Sequence, residues 1–100
     1  MTRRLLHLVS QSPFTHKALQ QCLDHWQPQD GIVLLGDGVY GVLAAQPLAT
    51  AMADTPCYFL EEDSKARGLE NLPIISHCQS IDYEQMVALC ASHDLVQSWY

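Results

Sequence analysis

The sequence predicts one α/β domain, a three-layer α/β/α arrangement around a mostly parallel β-sheet. Apolar runs that are typical of strands alternate with helical patterns, and this alternation is typical of βαβ units. The chain has 100 residues, which is a common size for a single domain, and 48% of them are hydrophobic, enough to fill a core. Since neither a repeat nor a linker interrupts the pattern, residues 1–100 are interpreted as one domain.

Five apolar runs are predicted to form the strands. They are Leu5–Val9, 32–35, Cys57–Leu60, 74–75 and Leu95–Trp99. The run at 32–35 is continuously apolar, which favours a strand that is buried on both faces of the sheet.

Four helical segments are predicted between these strands. The first begins around Pro13 and Phe14, with Ser12 or Thr15 as its cap, and buries a face that extends from Phe14 to Trp26. The second covers about 39–45, after the glycine-rich turn 36–38. The third begins with acidic residues 61–63 and ends at Gly68. The last begins at Asp82, which has the capping-box spacing to Gln85.

Composition excludes several classes of function. With 11 acidic and 5 basic residues the net charge is -6, which would repel the phosphate backbone of a nucleic acid. The sequence shows neither a signal-peptide pattern nor an apolar run long enough to span a membrane, so we expect a soluble cytoplasmic protein. Four cysteines without CxxC or zinc-ligand spacing are expected to be free thiols there: Cys22, Cys57, Cys78 and Cys90.

Five short motifs, in order along nearly the whole chain, carry a family resemblance. They are Leu6-His7-Leu8-Val9 followed by Ser12-Pro13-Phe14, Asp37-Gly38-Val39-Tyr40, Asp63 with Lys65-Ala66-Arg67-Gly68, Asp82-Tyr83, and Trp99 near the C-terminus. In this order they resemble the TusB and DsrH proteins.

The resemblance implies a five-stranded parallel sheet with helices on both faces, the DsrEFH-like fold. It also implies a heterohexameric sulfur-relay complex with TusC-like and TusD-like subunits, which passes persulfide sulfur to a TusE-like acceptor. In the TusB branch the sulfur becomes the 2-thio group of the wobble uridine of tRNA, and we expect this chain to be a mainly structural subunit of that branch. The alternative is a DsrH-like subunit in sulfur oxidation, with Cys22 as a persulfide carrier.

The cysteines differ in how well they suit such a carrier, which needs an accessible thiolate. Cys22 matches the position of a cysteine in the first helix of DsrH proteins, yet its helical phase places it on the apolar face. It is therefore both the candidate catalytic residue and a candidate core residue. Cys57 and Cys90 are predicted to be core residues, whereas Cys78 is expected to be more exposed, beside His77. The resemblance places the main persulfide cysteine on the TusD-like subunit.

A competing motif is Gly36-Asp37-Gly38-Val39-Tyr40-Gly41, which formally fits the GxGxxG dinucleotide pattern, with Glu61 downstream. Asp37 would, however, lie beside a pyrophosphate of its own charge. We therefore interpret these residues as a structural turn and expect no cofactor. The histidines do not have metal-ligand spacing, which gives no support to a metal site. Lys65 and Arg67 are interpreted as part of a solvated surface.

Overall fold

The computed structural model describes residues 4–52 and 55–99, and within them five strands and three α-helices alternate. The strands are β1 Leu5–Val9, β2 Gly31–Leu34, β3 Cys57–Leu60, β4 Gln79–Ile81 and β5 Leu95–Trp99, and the helices are α1 Ala18–His25, α2 Glu61–Ala66 and α3 Tyr83–Ser92. Two 3₁₀ segments, Gly36–Val42 and Thr50–Met52, connect β2 to β3. None of the described helices combines the length and apolar character that crossing a membrane requires.

The five strands form one sheet in the order β4-β3-β2-β1-β5, and every pairing is parallel. The prediction of an α/β fold with a five-stranded, mostly parallel sheet is confirmed. Connections from β1 to β4 progress in one direction across the sheet, whereas β5 returns to the other side of β1. Right-handed crossovers therefore place α3 on the opposite face from the earlier connections.

Each face of the sheet has its own apolar cluster. The first face is covered by α1, the 3₁₀ segments and α2, and its buried residues are Val9, Ala18, Leu19, Cys22, Ile32, Leu34, Val39, Val42, Met52, Cys57, Phe59, Leu69 and Cys78. The second face is covered by α3, and its buried residues are Leu6, Val33, Leu60, Ile81 and Met86. Consecutive residues of β2 alternate between the two clusters, as the continuous apolar run predicted.

The first helix begins later than predicted. The N–H groups of Thr15 and His16 donate to the carbonyl oxygen of Ser12, and the Ser12 hydroxyl accepts from the N–H of Phe14. These bonds form a separate turn, so α1 starts at Ala18 without a side-chain cap. Phe14 is 54% exposed, and its predicted place on the buried face is wrong.

The predicted helix at 39–45 is instead the 3₁₀ segment Gly36–Val42. Close packing against the end of β1 accounts for the tighter turn, because a Cβ on Gly38 would overlap the carbonyl group of Val9. Glycine is needed there for space. The 3₁₀ helix is tighter than an α-helix and is used in short pieces, so it suits this short connection that follows β2.

The predicted fourth strand at 74–75 is also wrong, since β4 lies at Gln79–Ile81. Ile74 forms an isolated antiparallel bridge with Leu43, and the N–H of Ile75 donates to the carbonyl oxygen of Val42 at 2.7 Å. The apolar pair is therefore held by the loop after the 3₁₀ segment, and a more polar triplet joins the sheet.

Other local predictions are confirmed. Gly68 follows α2 with φ 69°, the left-handed conformation that glycine adopts at helix ends. At α3 the Asp82 carboxylate accepts from the N–H of Gln85 at 2.7 Å, and the Gln85 side chain accepts from the N–H of Asp82 at 2.8 Å. This reciprocal pair is the predicted capping box.

Candidate functional site

Cys22, the candidate persulfide carrier, lies on the buried face of α1. Its exposed fraction is 0%. Burial raises the pKa of the Cys22 thiol to about 12, and the negative charge of Asp30 adds to that shift. A persulfide carrier needs a thiolate that a partner can reach. Both observations weigh against that role for the isolated chain, and the role stays a prediction.

Cys78 does not have the exposure that the sequence predicted. Cys78 is 7% exposed, so the expectation of an accessible loop thiol is wrong. The reason is a turn in which the N–H of Cys78 donates to the carbonyl oxygen of Ile75 at 3.1 Å, just before the chain joins the sheet as β4. Cys57 is buried as predicted, and Cys90 is half-buried on α3.

Cys57 and Cys78 are neighbours in the first-face cluster. A hydrogen bond between the two thiols, together with burial, raises the pKa of Cys57 above its ordinary value. The same hydrogen bond lowers the pKa of Cys78, against the opposing effect of burial. Of the two sulfurs, Cys78 is therefore the one that more readily becomes a thiolate.

A buried polar network that the sequence did not predict joins β1, the residue before β2, and the end of β5. His7 Nε2 lies 2.9 Å from Asp30 Oδ2, and Trp99 Nε1 donates to His7 Nδ1 at 3.0 Å. An indole N–H can only donate, so Nδ1 of His7 accepts and the ring proton lies on Nε2, which donates to the carboxylate. His7 and Asp30 are 2% and 1% exposed, which leaves a substrate no access to them.

The Asp30 carboxylate is also bonded by two backbone groups, the N–H of Leu5 at 3.1 Å and that of Gln27 at 3.0 Å. Burial by itself would raise the pKa of Asp30, but the hydrogen bonds from His7, Leu5 and Gln27 hold it below its ordinary value. A satisfied buried carboxylate of this kind stabilises the fold. The only signal of this network in the sequence was a histidine, His7, within the apolar run of β1.

The two motifs Asp37-Gly38-Val39-Tyr40 and Asp63 with 65–68 meet at the carboxyl end of the sheet. Asp63 Oδ2 accepts from the N–H of Gly36 at 2.8 Å, and Arg67 Nε donates to Asp37 Oδ1 at 3.0 Å. Arg67 Nη1 also donates to the carbonyl oxygen of Asp63. Arg67 therefore joins α2 to the glycine turn, and the interpretation of this residue as merely solvated is wrong.

These contacts bear on the GxGxxG alternative. A dinucleotide site needs free backbone N–H groups at the turn to bind the pyrophosphate. Here the N–H of Gly36 is bonded to Asp63, and the N–H of Gly38 to the carbonyl oxygen of Leu35 at 2.8 Å. The carboxylates of Asp37 and Asp63 flank the turn, which makes it a poor site for an anion. Within residues 4–52 and 55–99, no group of three or more His, Cys, Asp or Glu side chains is arranged to hold a metal.

Exposed apolar side chains lie on α3, which covers the second face of the sheet, and on the edge strand β5. Tyr83 is 66% and Val87 53% exposed on α3, and Leu95 and Val96 are each 45% exposed on β5. Val96 is paired with Leu6, whose side chain belongs to the second-face cluster. We name Tyr83, Val87 and Val96 the α3 surface. Exposed apolar side chains at a sheet edge are typical of a protein-binding surface.

Comparison with known proteins places this fold. The family model described as "DsrH like protein" matches residues 11–96. The chain belongs to the DsrH-like family. The earlier resemblance to the TusB and DsrH proteins is thereby confirmed, and the DsrH-like chain is a protein of the sulfur-relay type.

Among solved structures, the DsrH-like chain is similar to the YchN protein from E. coli, with a TM-score of 0.84. The alignment covers 97% of this chain and 99% of that one at 15% sequence identity. At this identity the likeness shows the shared fold. No curated protein matches the sequence of the chain.

Proposed function

We propose that this DsrH-like chain is a mainly structural, cytoplasmic subunit of a heterohexameric sulfur-relay complex that 2-thiolates the wobble uridine of tRNA. It binds TusC-like and TusD-like subunits, and the sulfur-carrying thiol lies on a partner that delivers to a TusE-like acceptor. The observation that carries the proposal is the burial of three of the chain's four thiols. Cys22, Cys57 and Cys78 are each at most 7% exposed, whereas the α3 surface is open.

The α3 surface supports assembly because one helix is too small for its face of the sheet. A ten-residue helix is about 15 Å long and about 10 Å wide. The outer strands of a five-stranded sheet lie about 19 Å apart, at about 4.8 Å for each of four spacings. Val96 on the edge strand consequently stays half exposed, Val87 is exposed on the helix itself, and a partner subunit would remove both from water.

Charge favours a different protein over a second copy as that partner. All charged Asp, Glu, Lys and Arg residues within 82–99 are acidic, namely Asp82, Glu84 and Asp94, and the chain as a whole has a net charge of -6. Two copies that met through this surface would bring like charges together. A homologous subunit with basic residues around an apolar centre would be complementary, whereas direct tRNA binding by this chain would be opposed by repulsion.

Co-expression with the TusC-like and TusD-like subunits, followed by sizing, tests the proposal. We expect a stable heterohexamer, and we expect Val87→Lys to prevent it because a lysine would be buried at the apolar centre. Leu72→Lys is the matched control, since Leu72 is 47% exposed in the first-face region and should not affect assembly. A chain that stays monomeric with both partners present would contradict the proposal. Normal assembly of Val87→Lys would exclude the α3 surface as the interface.

A further inference from the structure

The pairing of β3 with β4 brings two cysteines side by side. The register pairs Tyr58 with Gln79 and Phe59 with Ser80. Cys57 precedes Tyr58, and Cys78 precedes Gln79, so the two cysteines lie one position before the first of these pairs. Neighbouring strands lie about 4.8 Å apart, which falls inside the Cα separation of about 4.4–6.8 Å that disulfides require.

The side chains of both cysteines also enter the same space. They belong to one apolar cluster and are 2% and 7% exposed. They are close enough for each thiol to shift the pKa of the other, upward for Cys57 and downward for Cys78. A turn precedes Cys78, and in it the N–H of Cys78 donates to the carbonyl oxygen of Ile75. This turn fixes the position of Cys78 beside β3, where Cys57 lies. Two cysteines at neighbouring positions of one ladder, both directed into one cluster, are placed for a disulfide.

Local opening provides access to this pair. β4 has three residues and lies at the edge of the sheet, where Gln79 and Ser80 are exposed, and the chain before it is exposed from residue 70 to 74. Short edge strands open at a smaller free energy than the whole domain. Cys22, by contrast, lies on the buried face of α1 and is fully buried.

We propose that Cys57 and Cys78 form a peroxide-oxidisable dithiol that closes to an intrachain disulfide. The Cys78 thiolate attacks one oxygen of hydrogen peroxide, the O–O bond breaks, and after protonation a sulfenic acid and one water result. The Cys57 thiol then attacks the sulfenic sulfur, the S–O bond breaks, the thiol proton leaves with the hydroxyl group, and a second water is released. The two thiols lose two electrons in total, and the peroxide gains them.

This inference is separate from the assembly proposal, because the thiol pair and the α3 surface lie on opposite faces of the sheet. The disulfide ties the β4 edge to β3 and leaves the α3 surface available. We therefore expect the oxidised chain to bind its partner subunits as the reduced chain does. A failure of disulfide formation would leave the assembly proposal intact, and a failure of assembly would leave the disulfide intact.

The test is oxidation of the folded full-length chain by a small excess of hydrogen peroxide, followed by alkylation in denaturant and peptide mapping without reductant. We expect two of the four thiols to escape alkylation, and one peptide pair to be joined through Cys57 and Cys78, with full recovery after dithiothreitol. Cys22→Ser and Cys90→Ser should form the same bridge. In Cys57→Ser, dimedone should instead trap a sulfenic acid on Cys78.

Three results would overturn the proposal. They are four alkylated thiols after oxidation, a bridge that links a different pair such as Cys22 and Cys57, and oxidation that goes to sulfinic or sulfonic acid without any bridge. Mapping of the wild-type chain decides among these even if Cys57→Ser does not fold. Oxidation in denaturant is the reference, because there the four thiols should pair without preference.

Discussion

The two faces of the sheet are covered in different ways. The first face is closed by α1, the 3₁₀ segments and α2. Among the described residues it contains thirteen buried apolar side chains, which include three of the four cysteines, and also the contact of His7 with Trp99. The second face is closed by α3. Five of its buried apolar residues lie in the described part of the chain, and the α3 surface stays exposed. Under the proposed function, the first face supplies the stability of this chain and the second face supplies the contacts with partner subunits.

The largest expected effect is the difference between losing the whole chain and losing only the Cys22 thiol. Deletion of the gene should abolish most tRNA 2-thiolation, whereas Cys22→Ser should assemble normally and reduce it only mildly. A structural subunit supplies a surface, and one buried thiol contributes little to that surface. Quantification of 2-thiouridine in cellular tRNA by mass spectrometry measures both.

Stability has to be measured for the same Cys22→Ser variant, because a buried hydroxyl without a partner costs about 1–3 kcal/mol. If this variant melts and assembles like the wild type and yet loses 2-thiouridine as completely as the deletion, Cys22 carries sulfur. A persulfide adduct on Cys22 after incubation with a cysteine desulfurase and cysteine would point the same way. The first face, on which Cys22 lies, would then contribute sulfur chemistry as well as stability.

The next effect concerns the polar network of the first face. Asp30→Ala should lower the free energy of unfolding by about 3 kcal/mol, because it leaves His7 and two backbone N–H groups buried without their acceptor. Urea unfolding followed by circular dichroism measures the change. Asp24→Ala on the exposed side of α1 is the matched control and should change stability by less than about 0.5 kcal/mol. Equal effects of the two substitutions would show that the network is unimportant.

A smaller effect is expected from acid. The pKa of Asp30 is lowered in the folded chain, so as pH falls the unfolded chain takes up a proton on this carboxyl first. The stabilisation is present above the ordinary aspartate value of about 4 and is lost as pH falls through the lower folded value. Unfolding free energies between pH 7 and pH 3 should therefore fall more steeply for the wild type than for Asp30→Asn. Parallel curves would contradict this assignment.

The smallest expected effect is none at all, for nucleotides at the glycine turn. NAD, FAD and ATP should leave the melting temperature unchanged, because the N–H groups of Gly36 and Gly38 are already bonded. Any ligand that prefers the folded chain would raise the melting temperature with dose. A dose-dependent rise with NAD would overturn the interpretation of this turn as structural.

Features that depend on neighbouring residues along the chain were predictable from the sequence. β1, β3 and β5 have the predicted bounds, the capping box between Asp82 and Gln85 forms, and Gly68 ends α2. Each depends on local signals, such as apolar runs, cap spacing and the left-handed freedom of glycine. The alternation of these elements was enough to predict the α/β class.

Only the tertiary structure decided which of several suitable segments joins the sheet and which side chains meet inside it. Ile74 and Ile75 are the better strand residues, yet Leu43 and Val42 bind them and β4 forms four residues later. His7, Asp30 and Trp99 are up to 92 positions apart in the sequence. Cys57 and Cys78 become neighbours only through the register of β3 and β4. Contacts at such separations depend on the packing of the whole chain, which periodicity and spacing within one segment do not report.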